Sequence, residues 1–524
     1  MEDSFIQLNY LPDEILIYIF KKLNNFDVLY SLMGINKRLD SILQDSIFTR
    51  YLTLTKPPIA SKQFTDAIID RICVEILPKI HDKIEWLNIE SSFINRILLS
   101  TNYPNLHTLV LHDLSLERAR DLFTDGSYFI CVFEYQLSSL VIHTDEGQRT
   151  TSLFEDINIF LYTQILTMFK NLQYLNFSPF ANPNNHQLTF NLSSPNIFSS
   201  TLLHLHIIVD TFGDCLYLLD GRFNQLNTFD VTIYFGNVSV SPLINNKNNL
   251  SNLKCFRLTH KSILLAYKTV LIPLVRRMSN LEELGLYFVN GIAPIIDGIN
   301  LKENIFNYMP KLKKFEFDIL SYIGFNNQFN LPSNEDIQNT FKNVTSNQII
   351  SCIDYFPKIH RFLCHIYSYP YTLMYYQKIT NNFPGGLFTY VHHISLYDER
   401  PFEHEFFLQI AKSFPFIKDL RLYNLEPQKN NKQQQSIVEY PHLIVLDLRR
   451  IHANYLEQFL NDTKMSLLND IVLHVNYDLL QRVTDNFTRD AIRINCSKVQ
   501  RLFLYNKGEL SPGLKDYFPR AAIK

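Results

Sequence analysis

The side chains that could do chemistry are few and scattered. His392-His393 and the trio Glu403-His404-Glu405 bring together imidazoles and carboxylates, the donors a metal ion would use. Strand alternation would turn His393 outward, and His404 falls in an amphipathic stretch, so both are expected on a solvated surface and not in a metal site. The seven cysteines (Cys73, Cys131, Cys215, Cys255, Cys352, Cys364 and Cys496) stand singly, without a CxxC pair. They signal neither zinc nor a disulfide framework and are expected as small core residues in a reducing compartment. Cys352 and Cys364 flank one apolar segment, with no histidine at a spacing that argues for a thiolate nucleophile. No GxSxG, Walker-type loop, dinucleotide fingerprint or HExxH occurs, and 14 glycines leave little material for phosphate-cradling loops. The expectation is a non-catalytic chain with no cofactor and no metal.

The remaining chemistry is recognition. Tyr287, Tyr397, Tyr423 and Tyr505 each follow the last apolar residue of a short recurring pattern. Neighbouring columns hold Arg257, Arg421, Arg449 and Arg501 beside Asp230, Glu316, Asp419 and Asp447. Tyr and Arg combine contact area with directional hydrogen bonds, which makes them common anchors for protein partners. These eight residues are therefore the candidate substrate-binding set. The same acids could instead absorb the arginines in ion pairs within a sheet.

The pattern that positions them reads apolar, two others, apolar, one other, apolar. Its copies begin at Ile84, Leu106, Leu137, Leu172, Leu202, Leu226, Leu253, Leu281, Leu312, Ile359, Val391, Ile417, Leu443, Leu468 and Val499. Steps run from 22 to 47 residues, with a mean close to 30. The last two apolar positions lie two apart, so a strand would turn both toward a core. Between copies lie amphipathic stretches suited to helices, among them Ser262–Met278 and Phe402–Phe414. The longest step contains NNQFNLPSNEDIQNTFKNVTSNQ, read as an inserted loop or irregular repeat, and PQKNNKQQQ at 427–435 is read as an exposed loop. A unit of this size, unable to bury its apolar face alone, is the signature of a solenoid. The array resembles a leucine-rich-repeat horseshoe with parallel concave strands, although the Asn or Cys that usually follows the motif is mostly missing.

The first fifty residues read differently. Pro12 suits a first helical turn, with Asp13 and Glu14 beside the positive end of the helix. Ile15, Leu16, Ile19, Phe20 and Leu23 follow at helical spacing. Asp27 is placed to cap a second helix through Val28, Leu29 and Leu32, and Leu39, Ile42 and Leu43 mark a third. Leu11-Pro12, Glu14-Ile15-Leu16, Ile19-Phe20, Leu23, Asp27-Val28-Leu29 and Lys37-Arg38-Leu39 together resemble the F-box family. The segment departs from the family at Ile35-Asn36 and at Asp45-Ser46-Ile47-Phe48, where Phe48 keeps the aromatic anchor. The resemblance implies docking on the Skp-type adaptor of a cullin–RING ubiquitin ligase. It assigns that contact to Leu11, Pro12, Ile15, Leu16, Ile19, Phe20, Leu23, Leu29 and Phe48. The physical rationale is apolar anchors at helical spacing set into a partner's groove.

The expected class is α/β: an F-box at 1–50, a helical linker at 51–83, a repeat solenoid at 84–510 and a cap or frayed tail at 511–524. Forty-nine basic against 51 acidic residues give a net charge of −2, which argues against a nucleic-acid binder. Glu2 and Asp3 stand where a secretory leader would carry positive charge, and no apolar run is long enough to span a bilayer, so cytoplasmic and/or nuclear placement is expected. The functional expectation is a substrate receptor of an SCF-type ligase that binds a protein substrate. The alternative is a leucine-rich-repeat scaffold or sensor with no ligase link.

Overall fold

A computed structural model describes residues 11–55, 65–144, 154–179, 188–190, 197–235, 249–324, 332–342, 348–429, 436–467, 470–506 and 510–524. The chain divides into two compact units, Met1–Val289 with Glu303–Phe315, and Asn290–Lys302 with Glu316–Lys524.

The first unit opens with helices α1 (Asp13–Phe20), α2 (Asn25–Leu32), α3 (Lys37–Leu43) and α4 (Ser46–Thr49). Short polar side chains start three of them. Asn24 accepts from the Phe26 N–H, Asn36 from Leu39 and Asp45 from Ile47, each satisfying an otherwise orphaned amide. Asn24, not Asp27, therefore caps α2, and Asn36, where the chain departs from the F-box pattern, is itself a cap.

Strand β1 (Tyr51–Leu54) follows α4 directly and pairs in parallel with β2 (Trp86–Glu90). The sheet thus begins some thirty residues before the first copy of the motif, and the expected helical linker holds a strand at its start. Helical turns follow at Asp66–Arg71 and Leu77–Ile80. Strands β3 (Thr108–Leu114), β4 (Ser139–Thr144), β5 (Tyr174–Ser178), β6 (His204–Val209), β7 (Thr228–Ile233), β8 (Cys255–Leu264) and β9 (Glu283–Asn290) then lie side by side in chain order. Leu52, Leu87, Leu109, Leu140, Leu175, Leu205, Phe229 and Phe256 face one another in unbroken register. They are the fourth position of the motif, carried back one strand to Leu52. The sixth position builds a second column of Leu54, Ile89, Leu111, Ile142, Phe177, Ile207, Val231 and Leu258. All sixteen are buried, each contributing about 1.5–3 kcal/mol relative to exposure.

Asparagine also works between strands, but ahead of the motif. Asn105, Asn171, Asn252 and Asn280 each precede its first leucine, and each donates Nδ2–H to a carbonyl of the preceding turn at 2.5–2.8 Å. Between Ser262 and Met278 the expected helix is only partial, because β8 runs on to Leu264 and helical turns begin at Tyr267.

In the second unit, β10 (Lys314–Gly324), β11 (Gln348–Phe356) and β12 (Arg361–Tyr369) are antiparallel, with β12 between the other two. The copy at Ile359 therefore departs from the parallel expectation, and the long step before it holds strand β11 and a helix, Asn334–Thr340, rather than only a loop. A seven-stranded parallel sheet follows. Its members are β13 (Tyr375–Ile379), β14 (His393–Tyr397), β15 (Asp419–Asn424), β17 (Val445–Ile451), β19 (Ile471–Asn476), β20 (Val499–Tyr505) and β21 (Ala522–Ile523). Two-residue strands β16 (Val438–Glu439) and β18 (Met465–Ser466) pair apart from it. The expected tail supplies β21 and buries Leu514, Tyr517 and Phe518, so it is part of the sheet. The expected helix at Phe402–Phe414 is present as His404–Ser413. Most of PQKNNKQQQ lies outside the described residues.

Candidate binding groove and docking ridge

The outward face of the seven-stranded sheet carries polar side chains in rows. Ser395, Arg421, Asp447, His474 and Phe503 stand opposite one another, and Tyr397, Tyr423 and Arg450 form the next row, beside the Asn476–Tyr505 pair. Together with Lys378 and Asn506 most of these line a groove of about 600 Å³. Five of the eight expected substrate-binding residues meet there: Tyr397, Tyr423, Tyr505, Arg421 and Arg449. The Tyr397 and Tyr423 rings lie 5.2 Å apart, Phe356 meets Tyr397 edge-on at 5.0 Å, and the Arg449 guanidinium sits 5.0 Å from the Tyr505 ring.

Three of the eight are not in the groove. Arg501 sits at the start of its strand in the row of Val472, away from the groove lining. Arg257 and Tyr287 belong to the first unit, where Arg257 Nη2 donates to Glu283 at 2.8 Å and Tyr287 is buried. A burial that leaves Tyr287 7% exposed makes it a packing residue, so its place in the expected set is corrected.

The ion-pair alternative holds for two of the groove arginines. Arg421 donates to Asp419 at 2.9 Å and Arg449 to Asp447 at 2.5 Å. Burial pushes the Asp447 carboxyl up, but the hydrogen bonds and charge of Arg449 outweigh it and leave the acid below its ordinary range.

Two β-bulges shape the groove. Opposite Arg421–Tyr423, β17 spends one extra residue between Asp447 and Arg450, so the consecutive Arg449 and Arg450 both line it. In β13 the partners of Ile394 and Leu396 are Tyr376 and Ile379, again one residue too many, and Lys378 there has φ 53°. Its N–H donates to Ser395 Oγ at 2.9 Å, and its Nζ lies 3.3 Å from the centre of the Tyr322 ring. Burial, with Arg361 adding like charge, pushes the Lys378 ammonium down to about 8. Sequence reasoning missed Lys378 and Arg450. The bulge in β13 breaks the two-apart spacing that marks the other strands, and no residue type announces a bulge in advance.

A polar knot forms around Asp354 in the same unit. Asp354 accepts from Asn382 Nδ2 at 2.6 Å, from Arg400 Nη2 at 3.0 Å and from the Thr380 hydroxyl. Burial raises the Asp354 carboxyl to about 6 despite those donors. His404 is likewise buried, its ring between Gln458 and the Ser436 carbonyl, which corrects its expected place on the surface; His393 is exposed as expected. No cluster of three metal-ligating side chains occurs among the described residues.

In the first unit, α1 divides the expected adaptor-binding residues by helical geometry. Leu16 and Phe20 are buried, with Phe20 edge-on to Phe48 at 6.3 Å, and Leu29 and Phe48 complete this small core. A buried side chain offers a partner no area, so these four act by holding the helix. Pro12, Ile15, Ile19 and Leu23 remain outside with Tyr18, and Leu11 is half-buried. Ile15, Ile19 and Leu23 recur every fourth residue and are 46, 37 and 55% exposed, a continuous apolar ridge. The chain's own helices cover a different side: Lys79 Nζ donates to Asp40 at 2.9 Å, Lys83 Nζ to the Gln44 carbonyl at 2.8 Å, and Arg71 to the Met33 carbonyl at 3.2 Å.

No protein-family model matches the chain, and no curated protein matches it. Among solved structures, the complex of Rad7 and Elc1 in yeast is similar at 10% identity and a TM-score of 0.24, over 96% of this chain and 91% of that one. A likeness of that size defines neither fold nor function. No helix among the described residues is long and apolar enough to cross a membrane.

Proposed function

We propose that the chain is a substrate-receptor subunit of an SCF-type cullin–RING ubiquitin ligase, with the F-box-like helices docking a Skp-type adaptor and the leucine-rich-repeat-like strands holding a protein substrate. The observation that carries this reading is the exposed ridge of Ile15 and Ile19 on α1 and Leu23 in the turn that follows it, beside Leu16 and Phe20, which are packed inside. Solvent exposure of three aliphatic side chains in one stripe is costly unless a partner covers them. The receptor performs no chemistry itself. Two binding sites on one chain raise the effective concentration of substrate lysines near the loaded conjugating enzyme.

The test is co-purification of the full chain with a Skp-type adaptor, comparing wild type with Ile15→Ser/Ile19→Ser. These positions are exposed, so the variant is expected to keep its fold, checked by an unchanged thermal midpoint. Adaptor binding by the wild type and a loss of at least tenfold in the variant support the reading. Failure of the wild type to bind removes it. The second reading is a repeat scaffold without a ligase link, its helices serving as an end cap. It is favoured by the contacts of Asp40, Gln44 and Met33 with the following helices, as a cap requires.

A further inference from the structure

We propose that the groove on the seven-stranded sheet binds an extended, carboxylate-rich segment of a partner protein, anchored by Lys378 and Arg450. This rests on reading the groove as the receptor's recognition surface, and it does not depend on the adaptor.

The charges decide the chemistry of the occupant. Lys378, Arg421, Arg449 and Arg450 line the groove against one lining carboxylate, Asp447. Arg421 and Arg449 are held by Asp419 and Asp447, whereas Lys378 and Arg450 have no carboxylate partner among the described residues. A half-buried ammonium without a counter-ion is destabilising. The depressed Lys378 pKa is the sign of that cost, and an incoming carboxylate would relieve it. Both unpaired cations stand on bulges that turn them into the groove, and Lys378 adopts a left-handed backbone that a lysine rarely tolerates. The paired arginines contribute differently. Their carboxylates fix the guanidinium planes in advance, so a ligand loses less conformational freedom in meeting them.

Shape points to a peptide. From β13 to β20 the groove crosses six strands about 4.8 Å apart, a span on the order of 24 Å. An extended chain covers that distance in roughly seven residues. Tyr397, Tyr423 and Tyr505, lining the same groove, supply area and hydroxyls for such a chain. A nucleic acid, by contrast, would call for a longer and more strongly basic track, and the chain's net charge is −2.

The experiment is fluorescence anisotropy of the full chain with a labelled octaglutamate peptide, with octaglutamine and a single-stranded oligonucleotide as comparisons. Octaglutamate is expected to bind and octaglutamine not, with affinity falling as salt is raised. Lys378→Gln/Arg450→Gln should weaken octaglutamate at least tenfold, while Arg501→Gln, outside the groove, should leave it unchanged. No binding of octaglutamate, equal binding by the double variant, or tighter binding of the oligonucleotide would each overturn the proposal. Adaptor co-purification run on the same double variant separates the two readings. If the adaptor binds but octaglutamate does not, the groove inference fails alone. If octaglutamate binds but the adaptor does not, the ligase reading fails alone.

Discussion

Asp354 and Lys378 are opposite instances of one balance, in which burial charges a price that neighbouring donors or acceptors offset only in part. Asp354 receives donors from Asn382, Arg400, Thr380 and the Cys352 thiol and still has its carboxyl raised to about 6 from an ordinary 3.8. The folded unit therefore holds this proton more tightly than the unfolded chain does. Its stabilising contribution is complete below about pH 4 and disappears as the pH rises through 6. Other groups titrate in this range, so the informative quantity is the difference between wild type and Asp354→Asn in thermal midpoint from pH 4 to 7. The wild type should lose stability relative to the variant as the pH rises, and a difference that stays flat would show that Asp354 titrates normally. The α1 ridge is the other residue-scale result. Periodicity placed Ile15, Leu16, Ile19 and Phe20 on one helix, but which side faced its own core was decided by Phe48 and Leu29, from other helices. A helical stripe read alone cannot separate a core-facing edge from a partner-facing one.

At the scale of elements, the recurring apolar triplet located a strand at every one of its fifteen copies, because positions four and six are the residues a parallel sheet must bury. Strands that the motif did not mark were hidden for separate reasons. β1 and β21 are short edge members, β11 pairs antiparallel, and β13 carries a bulge. The asparagine clips escaped notice because the expected polar residue was sought after the motif and not before it. Asn252→Ala combined with Asn280→Ala should cost about 1–3 kcal/mol in chemical denaturation, from two lost side-chain to backbone hydrogen bonds. An unchanged midpoint would mean that water replaces both bonds at no cost. In the second unit Gly298 allows a close approach: a Cβ there would lie 2.3 Å from the Thr340 carbonyl oxygen. Backbone cannot yield as a flexible side chain can, so Gly298→Ala should destabilise that unit by about 2 kcal/mol or more, and a midpoint equal to wild type would contradict this close packing.

For the molecule as a whole, α/β class and a predominantly parallel sheet were legible from the sequence, since the repeat sets both the strand and the chain direction of its neighbours. The division into two units was not, because the antiparallel β10–β12–β11 set contains a motif copy like any other. The candidate groove was legible through its tyrosines and paired arginines, and its unpaired cations emerged only with the bulges. One consequence of the in-register leucine columns remains. Each strand is located by the neighbours it interlocks with, not by the length of chain that leads to it. Spacers of very different size can therefore join successive strands without shifting a single core residue, which leaves the outer segments free to be lengthened or trimmed while the inner scaffold stays the same.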